Sequence, residues 1–168
     1  MTDAPPSATN NVMDIATASA VVSIRDDARA RAILRGTQRL LRSLNFESLS
    51  EVSLGNGRRA DILALAHDGK AWIVEIKSSI ADFRADQKWH EYREYCDALL
   101  FAVAPDFPAE VLPADTGLIL ADAYGGELVR DPPSHPVSPA RRKALTLSFA
   151  RTAAMRLLAQ VDPGVKME

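Results

Sequence analysis

Apolar positions first recur at helical spacing between Asp26 and Leu44, where Ile33, Leu34, Leu40, Leu41 and Leu44 fall on one face. Asp26 and Asp27 suit the positive N-terminal end of a helix beginning there. Residues 1–24, rich in Ala, Thr, Ser, Pro and Asn, predict a flexible arm, with Ile15–Val22 the one part of it able to order. After Asn45 the pattern shortens to strands. Phe46–Leu54 alternates in part, Gly55-Asn56-Gly57 marks a turn, and Arg59–Ala66 and Lys70–Lys77 read as paired strands. Ala85, Trp89, Tyr92, Cys96 and Leu99 predict a helix over about Ile80–Asp97. Leu99–Ala104 and Gly117–Asp122 are short apolar runs expected to be buried on both faces, separated by a proline-punctuated loop over Pro105–Pro113. Gly125-Gly126 turns into a short strand, Glu127–Arg130, and Pro132, Pro133 and Pro136 enforce a loop. Ser138 caps a last helix, with Pro139 at its first position, that runs to about Val161. The order helix, three strands, helix, three strands, helix predicts an α/β domain over residues 25–162, a mixed sheet with helices on both faces, and a C-terminal tail over 163–168.

Three residues break this pattern. Asp61, Glu75 and Lys77 sit inside strands that otherwise look fully buried. A buried carboxylate is costly unless it is paired or bound to metal. Glu75 and Lys77 point to one face of their strand, with Ile76 opposite. Whether Asp61 joins them depends on the turn. A two-residue loop, Asp68-Gly69, would place Asp61 opposite Ile76. A three-residue loop, His67-Asp68-Gly69, pairs Ala66 with Lys70 and Asp61 with Glu75. That loop needs a left-handed residue in third position, where Gly69 stands. Facing residues have Cβ atoms about 4.5–5.5 Å apart, so two carboxylates there repel strongly, and a divalent cation between them relieves both repulsion and burial.

Composition narrows the classes. At 168 residues, 47% hydrophobic and 25% charged, the chain fits one globular domain with a real core. A net charge of −2 gives no global attraction for nucleic acid, so such binding must use local basic patches. The single cysteine, Cys96, excludes an internal disulfide and fits a reducing compartment. No apolar run suits a membrane span, and the N-terminus lacks a secretory pattern.

Asp, then Glu-x-Lys on the next strand, is a minimal kit for phosphodiester hydrolysis. Mg²⁺ or Mn²⁺ takes oxygen ligands and keeps several waters. Such an ion acidifies bound water and neutralises charge on a phosphoryl oxygen. A lysine two residues on can orient or deprotonate that water or stabilise the transition state. Glu-x-Lys alone is common, so on spacing alone a salt-bridged hairpin edge stays equally open.

Four stretches carry a resemblance: GRRADILAL (Gly57–Leu65), IVEIKSSIADFRADQKWHEYREYCD (Ile73–Asp97), APDFPAEVLPADTGLILADAYG (Ala104–Gly125) and ARRKALTLSFARTAAMRLL (Ala140–Leu158). The chain resembles the PD-(D/E)XK nuclease superfamily and, more narrowly, the MmcB-like family, bacterial proteins assigned to DNA repair as endonucleases. The likeness covers roughly residues 30–160. It implies a restriction-endonuclease-like fold and a metal-dependent deoxyribonuclease, with Asp61, Glu75 and Lys77 as catalytic residues. It also implies Mg²⁺ or Mn²⁺ on Asp61, Glu75 and the Ile76 carbonyl, an upstream glutamate (Glu51, with Glu47 the alternative), and DNA and other repair proteins as partners in the bacterial cytoplasm, at the nucleoid. Ala60 stands where the superfamily's name has proline, which removes no ligand. The superfamily also holds members that bind without cutting, so a non-catalytic DNA-binding or scaffold module is the second reading.

Gln87 and Lys88 follow the active strand, where related nucleases place a polar residue, and surface solvation explains them as well. Arg58 and Arg59 precede the Asp61 strand and could hold phosphates. Arg141, Arg142 and Lys143 open the last helix, where solvation is at least as good an account as DNA contact. Arg29, Arg31, Arg35, Arg39 and Arg42 decorate the first helix as a solvated face or as phosphate contacts. Trp89, Tyr92 and Cys96 lie at core spacing, and His67, His90 and His135 have no metal-ligand spacing.

Overall fold

The computed structural model describes residues 10–165. The chain forms α1 (Asn10–Ser43), β1 (Phe46–Ser53), β2 (Arg59–Ala66), β3 (Ala71–Lys77), α2 (Ile80–Ala85), β4 (Ala98–Val103), β5 (Gly117–Ala121), β6 (Gly126–Arg130) and α3 (Pro139–Val161). Short 3₁₀ turns occupy Trp89–Tyr95 and Ala109–Val111. The strands form one six-stranded sheet in sequence order. β1–β2, β2–β3 and β5–β6 pair antiparallel, while β3–β4 and β4–β5 pair parallel. Every residue of β4, in the middle of the sheet, is buried, as expected for a strand covered on both faces.

Alternation along the strands divides the core. Ile62, Ala64, Val74, Leu100 and Ile119 face α1, meeting Ile33 and Leu41. Leu63, Ile73 and Leu99 face the other way, onto Tyr92, Cys96 and Leu145. Phe101, Val103 and Leu118 continue that second face under Ile80 and Phe83 of α2. The result is the mixed α/β sheet of a restriction-endonuclease-like fold, with α1 on one face and α2, the Trp89–Tyr95 turn and α3 on the other.

Two elements differ from the sequence expectation. The first helix begins at Asn10, not near Asp26, so residues 10–24 are helical where a flexible arm was expected; residues 1–9 lie outside the described residues. No proline or glycine occurs between Pro6 and Gly36, so nothing in the chain stops the helix there. The expected helix over Ile80–Asp97 is broken. α2 ends at Ala85, and Asp86 leaves the helix because its carboxylate takes the Lys77 ammonium at 2.6 Å and the Lys88 N–H at 2.9 Å. A short acidic side chain competes with the helix for backbone donors in this way. The core positions survive the break because a 3₁₀ turn brings Trp89 and Tyr92 to one side.

α1 crosses the far end of the sheet through Gly36. A Cβ there would overlap the carbonyl oxygens of Asp122 and Gly125 in the β5–β6 turn. In an exposed helix Gly→Ala stabilises by about 1 kcal/mol. Here overlap with rigid backbone reverses the sign, and Gly36→Ala is expected to cost about 1–3 kcal/mol, read as a lower midpoint in urea at unchanged slope.

Candidate functional site

The β2–β3 hairpin sets the site. Its ladder pairs Leu65 with Ala71 and Ile62 with Val74. The loop closes with Gly69 N–H to the Ala66 carbonyl (2.9 Å) and Ala66 N–H to the Lys70 carbonyl (2.9 Å), and Gly69 has φ 84°. One step beyond Ile62–Val74 this register brings Asp61 to Glu75. There the backbone ladder gives way to side chains. Ile76 N–H donates to Asp61 Oδ2 at 2.8 Å, and Asp61 N–H donates to Glu75 Oε1 at 3.3 Å. The two carboxylates therefore lie in the fork where β2 and β3 part.

Lys77 follows on the same face of β3, 4.0 Å from Glu75 Oε2 and 2.6 Å from Asp86 Oδ2. The chain beyond it is fixed at once. Ser79 Oγ accepts the Asp82 N–H at 3.1 Å, and Asp82 Oδ2 accepts the Ser78 N–H at 3.0 Å. This reciprocal cap starts α2 directly after the lysine. A cleft of about 690 Å³ opens over these groups, lined by Asp61, Glu75, Ile76, Lys77, Glu51 and Asp82, with Asp27, Arg31 and Leu34 of α1 on its far wall.

Charge is crowded in the cleft. Glu75 is buried, and burial first and the Asp61 charge second push its acid up to about 8. Burial also raises Asp61, against the opposing effects of the Ile76 N–H and Lys77. Burial pulls Lys77 down, but the hydrogen bond and charge of Asp86 and the charge of Glu75 outweigh it, so the ammonium is held above its ordinary value. Burial works against the Asp86 anion, and Lys77 with the Lys88 N–H overrides it. Two carboxylates resist ionising together, and the one ammonium beside them is already paired with Asp86.

Glu51 of β1 falls opposite Asp61 of β2, between the pairs Ser50–Ile62 and Val52–Ala60, and has φ 53° inside the strand. The left-handed region is unfavourable for a non-glycine residue, and such outliers cluster at functional sites. Arg156 of α3 braces it by donating to the carbonyls of Ser50 (2.6 Å) and Glu51 (2.9 Å), and its carboxylate pairs with Arg59 at 2.6 Å. Glu47 instead pairs with Arg42 beside a separate cleft.

The expected DNA contacts fare differently. Arg58 forms a two-pronged pair with Glu91 (2.8 and 3.0 Å). Arg141 pairs with Glu94 and stacks 4.5 Å over the Tyr95 ring. Arg142 grips Asp97 through both terminal nitrogens, at 2.6 and 2.7 Å, which neutralises its charge. Lys88 is exposed and makes no side-chain pair among the described residues. Gln87 turns back to the Arg84 carbonyl at 2.8 Å and does not line the cleft. Tyr92 donates to the Arg59 carbonyl at 3.0 Å, holding the entry to β2, and Cys96 is core, its thiol pushed up to about 12 by burial. Sequence reasoning missed Asp86, Asp82 and Arg156. Ser79-x-x-Asp82 was visible as a cap, and a buried Lys77 called for a counter-charge within reach. Nothing in the sequence pointed to Arg156.

A family model described as "DNA repair protein MmcB-like" matches residues 17–164. No curated protein gives a significant match. A solved structure titled as the SPO1766 protein of unknown function from Silicibacter pomeroyi superposes with a TM-score of 0.80 at 46% identity, over 83% of this chain and 96% of its own.

Proposed function

The chain belongs to the MmcB-like family of DNA repair proteins, and on that premise we propose that it hydrolyses DNA phosphodiester bonds with Mg²⁺ or Mn²⁺ as an endonuclease. The observation that carries this reading is the fork of β2 and β3, where Asp61 and Glu75 share one backbone junction in an open cleft beside an anchored lysine. The donor set fits a hard cation of this kind. Among the described residues no group of three or more His, Cys, Asp or Glu makes a ready cage, and Mg²⁺ is held by one or two carboxylates, substrate phosphate and water. Asp61, Glu75 and the Ile76 carbonyl would hold it, with Glu51 reaching it directly or through water. The ion would supply an acidified water and neutralise charge on the phosphate.

The chain's own residues do the rest. Asp86 keeps Lys77 protonated, so Lys77 acts as a donor to the attacking water or the phosphoryl oxygens and not as a base. Asp86 is thus a positioning residue. The Ser79–Asp82 cap holds the end of β3 so that Lys77 cannot swing away. The second reading, a DNA-binding module without cleavage, has one observation in its favour: both carboxylates already accept backbone N–H groups.

A panel of labelled single-stranded, duplex and branched DNAs separates the two. Nicking is expected in Mn²⁺ and not in EDTA. Lys77→Ala should slow it about 10²–10³-fold, with DNA affinity in EDTA only slightly reduced, the signature of an interaction made in the transition state. Binding of the panel with no Mn²⁺-dependent product would select the second reading.

A further inference from the structure

A run of positive charge without carboxylate partners among the described residues lies along α1, away from most of the arginines considered at β2 and α3. Arg31, Arg35 and Arg39 succeed one another at four-residue spacing, so they share one helix face. All three are exposed. Arg31 and Arg35 make no ion pair among the described residues. Arg39 donates to the carbonyls of Ala123 (3.1 Å) and Tyr124 (2.8 Å), which leaves its charge unneutralised. A groove of about 900 Å³ runs along this face, and Arg31 and Leu34 line both it and the cleft over Asp61 and Glu75. Groove and cleft therefore adjoin at Arg31 and Leu34.

An aromatic platform stands at the other end. Gly36 lets the β5–β6 turn sit directly on α1. Asp122 Oδ1 accepts the N–H groups of Tyr124 (2.7 Å) and Gly125 (3.1 Å), which fixes that turn. Tyr124 is presented to solvent at 85% exposure. A basic track with an exposed aromatic at its end is the arrangement that holds single strands, through phosphate contact and base stacking. A duplex would use the arginines but hide its base faces from Tyr124. From Arg31 to Arg39 is about 12 Å along the helix, the span of three or four stacked nucleotides at about 3.4 Å each.

We propose that a segment of single-stranded DNA lies along α1, with phosphates on Arg31, Arg35 and Arg39 and a base on Tyr124, and enters the cleft at Arg31. Where the strand leads rests on the nuclease reading; its binding does not.

The test is fluorescence anisotropy in EDTA with the full chain and a labelled oligodeoxynucleotide of about 12 nucleotides, beside its duplex and RNA counterparts. Arg31→Ala with Arg35→Ala should weaken single-strand binding at least about tenfold at low salt and flatten the log–log salt slope by about 1.4, at roughly 0.7 per phosphate. Tyr124→Ala should weaken it about 5- to 100-fold with the slope unchanged, and Tyr124→Phe should restore it. Arg93→Ala, which loses only the pair with Asp115 and the stack on Trp89, serves as control and should bind as wild type. Melting curves on the exposed variants check that the fold is intact. An unchanged slope in the double arginine variant, full affinity in Tyr124→Ala, or preference for duplex or RNA each overturns the proposal. Loss of binding in the arginine variant together with no Mn²⁺-dependent nicking by wild type would sink the nuclease reading and leave the strand path standing.

Discussion

Glu75→Gln is expected to abolish nicking in Mn²⁺ while raising the melting temperature in EDTA. The substitution keeps the shape and an oxygen to accept the Asp61 N–H. It removes a buried charge that faces another. In the folded chain burial and then Asp61 lift the Glu75 acid to about 8 from an ordinary 4.5. A group raised in this way contributes its stability fully below the unfolded value, and the contribution is lost as pH rises through the folded value. The wild type therefore loses stability from this residue between about 4.5 and about 8, and the glutamine variant has none to lose. The gap between their melting temperatures should be small near about pH 5 and wide near about pH 8. One pKa unit corresponds to about 1.4 kcal/mol, and each kcal/mol moves a chain of this size by about 2–4 °C. Mn²⁺ should raise the wild-type melting temperature, because it binds only the folded state, and should do little for the variant. Wild-type nicking by Glu75→Gln, or a variant that melts below wild type at about pH 8 in EDTA, would remove Glu75 from the site.

The hairpin behind this prediction was legible because its determinants are local. Loop length, Gly69 and strand alternation together set the register, and register decides which side chains meet. The strands and the capped α3 were legible for the same reason. The break after Ala85 was not. Apolar spacing continues through Trp89, Tyr92 and Cys96, and periodicity cannot tell an α-helix from a short helix followed by a 3₁₀ turn. What breaks it is Asp86 meeting Lys77, a contact between elements. The start of α1 was hidden because Asp26 and Asp27 imitate a helix N-terminus.

The arginines show the limit most clearly. Basic residues beside a candidate active strand invite a reading as phosphate ligands, yet Arg58 finds a carboxylate 33 positions away, as Arg142 at the start of α3 finds one 45 positions away. Sequence proximity to Asp61 says nothing about that. On α1, where the same chain carries five arginines between Arg29 and Arg42, Arg31 and Arg35 have no ion-pair partner among the described residues. Only the packing of the β5–β6 turn on Gly36 brings an aromatic to that stripe. Two similar-looking sets of basic residues thus differ in whether a carboxylate neutralises them, for reasons that lie in the tertiary structure.

Asp97→Asn should be among the most destabilising single substitutions in the protein. Asp97 is 4% exposed and ties three elements together. Its carboxylate accepts the Ala71 N–H at the start of β3 (2.7 Å), the Val137 N–H before α3 (3.1 Å), and both Arg142 prongs. Burial opposes the anion, but Arg142 and the two backbone donors overcome it and hold the acid below its ordinary value. A depressed folded value means that the stabilisation is present above the ordinary value of 3.8 and is lost as pH falls through the folded value. Breaking such a pair from one side costs about 3–5 kcal/mol, on the order of 10 °C in melting temperature here. The variant should also lose the wild type's steep fall in stability near and below about pH 4. Arg142→Met should cost less, since the two backbone N–H groups still face the carboxylate, and the double variant should cost less than the sum of the two singles. Below its melting temperature Arg142→Met should bind DNA in EDTA with wild-type affinity and salt slope. A melting temperature for Asp97→Asn within about 2 °C of wild type would show that α3 is held by other contacts, and weakened DNA binding by folded Arg142→Met would return that arginine to the nucleic-acid surface.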